Sequence, residues 1–96
     1  MFQTTTTVRM GDTDMAGILY FANQFRFASA AWEELLEKGG YSLKEMFQSS
    51  PFVFVIVHAN ADYLKPLYGG DVLQIQVRTK KIGKTSFTMA YTFFDS

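Results

Sequence analysis

The sequence of 96 residues contains no cysteine and a single histidine. The lack of cysteine excludes disulfide scaffolds, cysteine nucleophiles and thiolate metal sites, and it suits a reducing compartment. Since one histidine leaves only carboxylates as further metal ligands, we expect no metal. Nine basic residues balance nine acidic ones, so no overall charge would draw the protein to nucleic acid or to an anionic membrane.

Long apolar runs are absent as well. No segment approaches the roughly 20 apolar residues of a membrane span, and the first ten residues have no basic leader before an apolar stretch. We therefore predict a cytoplasmic protein with one domain over residues 1–96, for which 48% hydrophobic residues are enough to build a core. Because so small a chain has a high surface fraction, burial against a second copy would help.

The patterns that are present are typical of strands arranged around one long helix. The β-branched run in residues 2–10 predicts a strand. Apolar residues spaced by four and three along residues 21–35 predict a helix, which a following pair of glycines ends. Alternating segments predict further strands in residues 51–66, 71–81 and 85–94. The predicted order is β-α-β-β-β, which makes an α+β domain with the sheet wrapped around the helix.

The segment GDTDMAGILY at residues 11–20 places two carboxylates, Asp12 and Asp14, just before the apolar helical stretch. The spacing alone favours a structural role, because acidic side chains cap helix starts and interact well with the helix dipole. A carboxylate can also do chemistry, as a general base or as a nucleophile. From the residues by themselves, both interpretations stay open.

Three segments together resemble hotdog-fold acyl-CoA thioesterases of the 4-hydroxybenzoyl-CoA thioesterase family. They are GDTDMAGILYFANQFRF at residues 11–27, VHANADYLKPLYGGDVL at residues 57–73 and KKIGKTSF at residues 80–87. The similarity runs from about Val8 to the end of the chain, and its most specific part is the pattern Asp-x-Asp-x-x-Gly-x-x-Tyr/Trp. The resemblance implies an antiparallel sheet around one long central helix, a homodimer or homotetramer, and hydrolysis of an acyl-CoA thioester. It implies no cofactor beyond the coenzyme A of the substrate.

The resemblance also implies the residues of a catalytic site. Asp14 matches the catalytic carboxylate, either as nucleophile or as general base, and Phe21 would offer its backbone N–H to the oxyanion at a helix N-terminus. Gly17 would allow the substrate to approach closely. Asn23 matches a recurrent position, where its amide would hold the aspartate loop or the substrate, although an ordinary first-turn residue is an equal alternative. Asp12 stays a turn or capping residue.

Substrate-binding residues follow from the same resemblance. Tyr20 adjoins the proposed catalytic loop and would form a pocket wall. Lys84, Thr85 and Ser86 match hairpin positions that contact the nucleotide end of coenzyme A, although a solvated strand face also explains basic residues there. Members of the family often have more arginine in this hairpin than this sequence does.

The resemblance bears on the acyl group and on the length of the chain. The stretch HANADYLKPLYGGD most resembles the branch that acts on hydroxybenzoyl or dihydroxynaphthoyl thioesters. Family members run well beyond one hundred residues and have a fifth strand, so we expect a C-terminally truncated domain whose last strand is missing, with two sheet edges left unpaired. The alternatives are a non-catalytic acyl-CoA-binding module of the same fold and a thioesterase that acts on acyl-carrier-protein thioesters.

Overall fold

The computed structural model describes residues 1–49 and 55–95. Within these residues the elements are β1 (Phe2–Thr7), a 3₁₀ turn (Met10–Asp12), α1 (Asn23–Lys38), α2 (Leu43–Ser49), β2 (Val72–Ile82) and β3 (Phe87–Asp95). Strands and helices are segregated along the chain, which confirms the predicted α+β class.

The three described strands form one antiparallel sheet in the order β1-β2-β3. Ile75 of the central strand β2 lies opposite Thr4 of β1 and Phe93 of β3. A β-bulge between Thr79 and Lys81 interrupts the pairing of β2 with β3. Because β2 has a neighbour on both sides, it has its hydrogen bonds satisfied along both edges, whereas β1 and β3 each lie at an edge of the described sheet.

The core lies between one face of the sheet and α1. Successive side chains of a strand point to opposite faces, and the alternating apolar residues of β2 are accordingly buried while the residues between them are not. The buried cluster consists of Val8, Leu19, Phe27, Ala31, Leu67, Leu73, Ile75 and Val77. Only Phe27 and Ala31 of α1 are buried, so this helix packs on the sheet through a narrow stripe.

The two helices differ in how well the sequence predicts them. Residues 21 and 22 form a turn before α1, which begins at Asn23 and ends at Lys38. Gly39, the first of the predicted glycine pair, is its C-cap residue. The short helix α2 lies in a part of the chain for which the sequence analysis predicted neither helix nor strand. Neither helix in the described ranges has the length and apolarity that crossing a membrane requires.

The strand predicted in residues 51–66 is wrong for the part that can be checked. Residues 55–66 have no strand conformation in the structure, and residues 51–54 lie outside the described residues. Val55, Ile56 and Val57 are 73–87% exposed. An alternating pattern forms a strand only when a neighbouring strand accepts its hydrogen bonds, and none of the described strands pairs with this segment.

We expect replacement of the fully buried Leu73 by alanine to lower the free energy of unfolding by about 2–5 kcal/mol, because it leaves a cavity between β2 and α1. The matched control is Val72→Ala on the same strand, where the side chain is 44% exposed. Urea unfolding of both variants measures the difference. Equal losses in the two variants would contradict this position of the core.

Candidate active site

The loop that joins β1 to α1, residues 8–22, is folded back on itself by backbone hydrogen bonds. The Tyr20 N–H donates to the Asp12 carbonyl at 3.0 Å, and the Asp14 N–H donates to the Ile18 carbonyl at 2.9 Å. These bonds satisfy backbone groups that a loop otherwise leaves to water. The tip of the loop, which carries Asp14, therefore has a defined conformation.

The carboxylate of Asp14 is held by its own loop. Its Oδ1 atom accepts hydrogen bonds from the backbone N–H groups of Ala16, at 2.9 Å, and Ile18, at 3.3 Å. Its Oδ2 atom accepts none from the residues that the structure describes. One oxygen is thus fixed while the other is left for a ligand or a water molecule.

A cleft of about 460 Å³ lies against this loop. The loop and the first turn of α1 contribute Asp14, residues 18–21 and Gln24 to its walls, and the extended segment contributes residues 63–67. Asp14, Tyr20 and Phe21 were predicted as site residues from the sequence, and the structure brings these three together in one cleft.

The turn before α1 contributes Phe21 to the same cleft as Asp14. The helix has Ala22 at its N-cap position and no side chain that caps it. The N–H groups of Asn23 and Gln24 are used in the turn that precedes the helix, by bonds to the carbonyls of Tyr20 and Phe21. The Phe21 N–H has no acceptor among residues 1–49 and 55–95, and it lies near the positive end of the helix dipole.

Three aromatic side chains contribute to the apolar part of the cleft. The rings of Tyr20 and Phe21 lie 4.9 Å apart, and Tyr63 meets Phe21 edge-on at 6.1 Å. The Tyr63 hydroxyl donates to the Phe21 carbonyl at 3.2 Å. Sequence analysis did not identify Tyr63, because only the folded chain places it beside a residue that lies 42 positions earlier.

Gly17 does not line the cleft, but it shapes the loop. Its φ of +76° lies in the region that favours glycine, and no atom lies within 4 Å of where a Cβ would stand. Its carbonyl accepts a hydrogen bond from the Gly69 N–H at 2.9 Å. The structure thus explains this glycine by backbone conformation, since nothing crowds it.

Asn23 and Asp12 contact each other behind the loop. The Asn23 side chain donates from Nδ2 to the Asp12 carbonyl at 2.9 Å. The Asp12 carboxylate is buried and accepts from the Arg9 N–H at 2.9 Å, and it forms an ion pair with Arg26. Sequence analysis did not identify Arg26, because only the folded chain places it beside a residue that lies 14 positions earlier.

The predicted nucleotide-binding residues Lys84, Thr85 and Ser86 lie in the turn between β2 and β3. A hydrogen bond from the Gly83 N–H to the Ser86 carbonyl, at 2.8 Å, closes this turn. All three side chains are exposed, and none lines the cleft. The structure therefore does not bring them together with Asp14 in one pocket.

A cationic residue of the cleft was also missed. Lys65 lines the cleft, and its ammonium group lies 2.8 Å from Asp95 Oδ2. The hydrogen bond from Lys65 holds the pKa of the Asp95 carboxyl below its ordinary value. Within the described part of the chain, no group of three or more histidine and acidic side chains is placed to hold a metal ion.

Comparisons with known proteins identify the fold. The family model of the thioesterase-like superfamily matches residues 8–96. The 1,4-dihydroxy-2-naphthoyl-CoA hydrolase of Prochlorococcus marinus (strain NATL2A) is 39% identical over 94 residues, which cover 91% of this chain and 61% of that protein. The protein of the same name from Nostoc punctiforme is 42% identical over 90 residues, with 94% and 61% covered.

Solved structures agree with these relatives. The crystal structure of a 1,4-dihydroxy-2-naphthoyl-CoA thioesterase from Synechocystis superposes with a TM-score of 0.91 at 26% identity, over 99% of this chain and 69% of that one. The predicted hotdog fold is confirmed. The chain spans about three fifths of the length of the curated relatives that it matches.

We expect Gly17→Ala to destabilise the protein by about 1 kcal/mol, since an L-residue pays a steric cost at positive φ. Gly11→Ala is the matched control in the same loop, because Gly11 has ordinary φ and no atom within 4 Å of an added Cβ. Free energies of unfolding from urea titrations compare the two. A Gly17 variant as stable as the Gly11 variant would show that the loop does not need this conformation.

Proposed function

The chain belongs to the thioesterase-like superfamily, and from that premise we propose that it hydrolyses an acyl-CoA thioester to the free acid and coenzyme A. One observation supports this most strongly: Asp14 and Phe21 line the same cleft, and the Phe21 N–H has no acceptor among the described residues. A thioester carbonyl placed between them would have an attacking group on one side and a donor for its oxygen on the other.

Asp14 acts in this proposal as general base or as nucleophile. As a base, it takes a proton from a water molecule, whose oxygen adds to the carbonyl carbon. The tetrahedral intermediate then collapses by breaking the carbon–sulfur bond, and the thiolate of coenzyme A receives a proton. As a nucleophile, the carboxylate first displaces the thiolate to form an anhydride, which water then hydrolyses.

The Phe21 N–H is the proposed oxyanion donor. Negative charge develops on the carbonyl oxygen in either mechanism, and a backbone donor at the N-terminus of a helix stabilises it without having to reorganise. Gly17 and Asn23 support this arrangement indirectly, the first through the turn of the loop and the second through its bond to Asp12. No metal or further cofactor takes part in the proposed reaction.

We propose a hydroxylated aromatic acyl group, such as hydroxybenzoyl or dihydroxynaphthoyl. The walls made by Tyr20, Phe21 and Tyr63 suit a flat ring, because aromatic rings attract one another edge-on or in offset stacks. The similar proteins named above carry 1,4-dihydroxy-2-naphthoyl-CoA in their names. The exposed Lys84, with Thr85 and Ser86, would meet the phosphates at the nucleotide end of coenzyme A.

We further propose that the protein works in the cytoplasm as a homodimer or homotetramer. The cysteine-free composition suits a reducing compartment. Val55, Ile56 and Val57 form a run of exposed apolar side chains, which a second copy would bury at a gain of about 25 cal/mol per Å² of apolar surface.

Replacement of Asp14 by asparagine tests the proposed chemistry. The amide cannot accept a proton or attack a carbonyl, so we expect the rate of hydrolysis to fall by about 10²–10⁴-fold. The measurement is release of free thiol from a panel of aromatic and aliphatic acyl-CoAs. Asp62→Asn, which changes an exposed carboxylate outside the cleft, is the matched control and should leave turnover unchanged.

The outcomes of this assay separate the alternatives. Undiminished turnover in the Asp14 variant would overturn the catalytic assignment. A folded wild-type protein that binds acyl-CoA without hydrolysing it would be a binding module of the same fold. Turnover of acyl-carrier-protein thioesters alone would exclude coenzyme A as the carrier.

Lys84→Gln tests the proposed nucleotide contact. Exposed charge pairs contribute about 0.2–1 kcal/mol, so we expect KM for acyl-CoA to rise about 2- to 5-fold. KM for the corresponding acyl-pantetheine, which has no nucleotide, should not change. The control is Lys44→Gln on α2, where the lysine is also exposed. An equal rise for both substrates would place Lys84 outside the nucleotide site.

A further inference from the structure

We propose that Arg26 is a positioning residue for hydrolysis, which sets the loop carrying Asp14 against the N-terminus of α1 through its ion pair with the buried Asp12. This inference rests on the proposed function, because it concerns the placement of the same two reacting groups. The ion pair lies behind the loop, and neither Arg26 nor Asp12 lines the cleft.

Asp12 is the one buried charged residue in the described ranges, with 9% of its surface exposed. A carboxylate in such a place is stable only when it is paired and hydrogen-bonded. The Asp12 carboxylate has both kinds of partner, since it accepts from the Arg9 N–H at 2.9 Å and from the guanidinium of Arg26. Arg26 is thus the only cationic side chain paired with this carboxylate among the described residues.

The backbone of Asp12 is held as firmly as its side chain. Its carbonyl accepts from the Tyr20 N–H at 3.0 Å and from Asn23 Nδ2 at 2.9 Å. Arg26 lies three residues after Asn23, on the same face of α1. The Arg26 Nε atom donates to Asn23 Oδ1 at 3.5 Å, which orients the amide so that its NH₂ group meets Asp12. Asp12 is therefore hydrogen-bonded to residues near both ends of the loop and to two residues of α1.

These hydrogen bonds are close in sequence to the two proposed reacting groups, the Asp14 carboxylate and the Phe21 N–H. Asp14 follows Asp12 by two residues, so their Cα atoms are separated by at most about 7 Å. Phe21, the proposed oxyanion donor, directly follows Tyr20. Loss of Arg26 would leave a buried carboxylate unpaired, and the loop would have to move to hydrate it. A displacement of about 1 Å at a reacting group can cost about 10²-fold in rate.

A purely structural role for Arg26 makes a different prediction. Its guanidinium lies 5.1 Å from the centre of the Phe27 ring, so truncation could lower stability through lost packing alone. In that case the folded fraction of the variant would keep its kcat. A positioning role instead lowers kcat and leaves KM nearly unchanged, because the walls of the cleft still bind the substrate.

The test compares Arg26→Gln, Arg26→Lys and the double variant Asp12→Asn with Arg26→Gln. For Arg26→Gln we expect kcat to fall at least about 10-fold while KM stays within about twofold. Arg26→Lys should keep most of the activity, because its ammonium can still pair with Asp12. The double variant should recover part of the loss, because no charge is left buried without a partner.

Glu34→Gln is the matched control on the same helix. The Glu34 carboxylate accepts a hydrogen bond from the Thr4 hydroxyl at 2.9 Å, so this variant also weakens a polar contact between α1 and another element, but away from the loop. It should change neither kcat nor KM. A loss in the Glu34 variant equal to that of Arg26→Gln would overturn the proposal, since any weakened contact of α1 would then suffice.

Amide hydrogen exchange gives a second measurement that does not depend on turnover. We expect the Tyr20 N–H, bonded to the Asp12 carbonyl, to exchange at least about 10-fold faster in Arg26→Gln and at the wild-type rate in Glu34→Gln. If the wild type is active and Arg26→Gln changes neither kcat nor the exchange rate of the Tyr20 N–H, the Arg26 proposal is wrong and the proposed function stands. If the wild type is folded but inactive, and the Tyr20 N–H still exchanges faster in Arg26→Gln, the proposed function is wrong. The contact between the loop and the helix then stands.

Discussion

The apolar face of β2, formed by Leu73, Ile75 and Val77, is the surface on which the other elements are fixed. These side chains are nearly fully buried, and each contributes about 1.5–3 kcal/mol when it is removed from water. Phe27 and Ala31 of α1 belong to the same buried cluster. Because the helix can bury only this stripe, its orientation on the sheet is determined, and its N-terminus lies beside the loop that follows β1.

This orientation of α1 places the groups that the proposed thioester hydrolysis needs around one cleft. Asp14 lines the cleft, and its Oδ2 atom accepts no hydrogen bond from the described residues. Phe21, in the turn before the uncapped start of α1, lines the same cleft. The chain needs little more for the proposed reaction, since a thioester lacks the resonance that protects an amide. An ion pair between the buried Asp12 and the half-exposed Arg26 lies outside the cleft, and in our proposal it keeps this arrangement in place.

Predictions from the sequence succeeded where the signal is local. The strands β1, β2 and β3 and the helix α1 follow from periodicities that each segment contains within itself. The strand expected in residues 51–66 failed over residues 55–66, although its alternation is clear. A strand also requires a partner edge, and a periodic pattern does not contain that information. The short α2 was missed because its apolar residues are too few to show a period.

The sequence by itself indicated a candidate catalytic carboxylate, through the resemblance of its Asp-x-Asp-x-x-Gly motif to that of a known family, and this role stays a prediction. The same motif identified Gly17 for close approach of the substrate, whereas the structure shows that this glycine has a positive φ. Only the tertiary structure decided that Tyr63 forms a wall of the cleft and that Arg26 pairs with Asp12. Such contacts join residues that are far apart along the chain. They arise from how the helix and the extended segment pack around the core, which local periodicity does not encode.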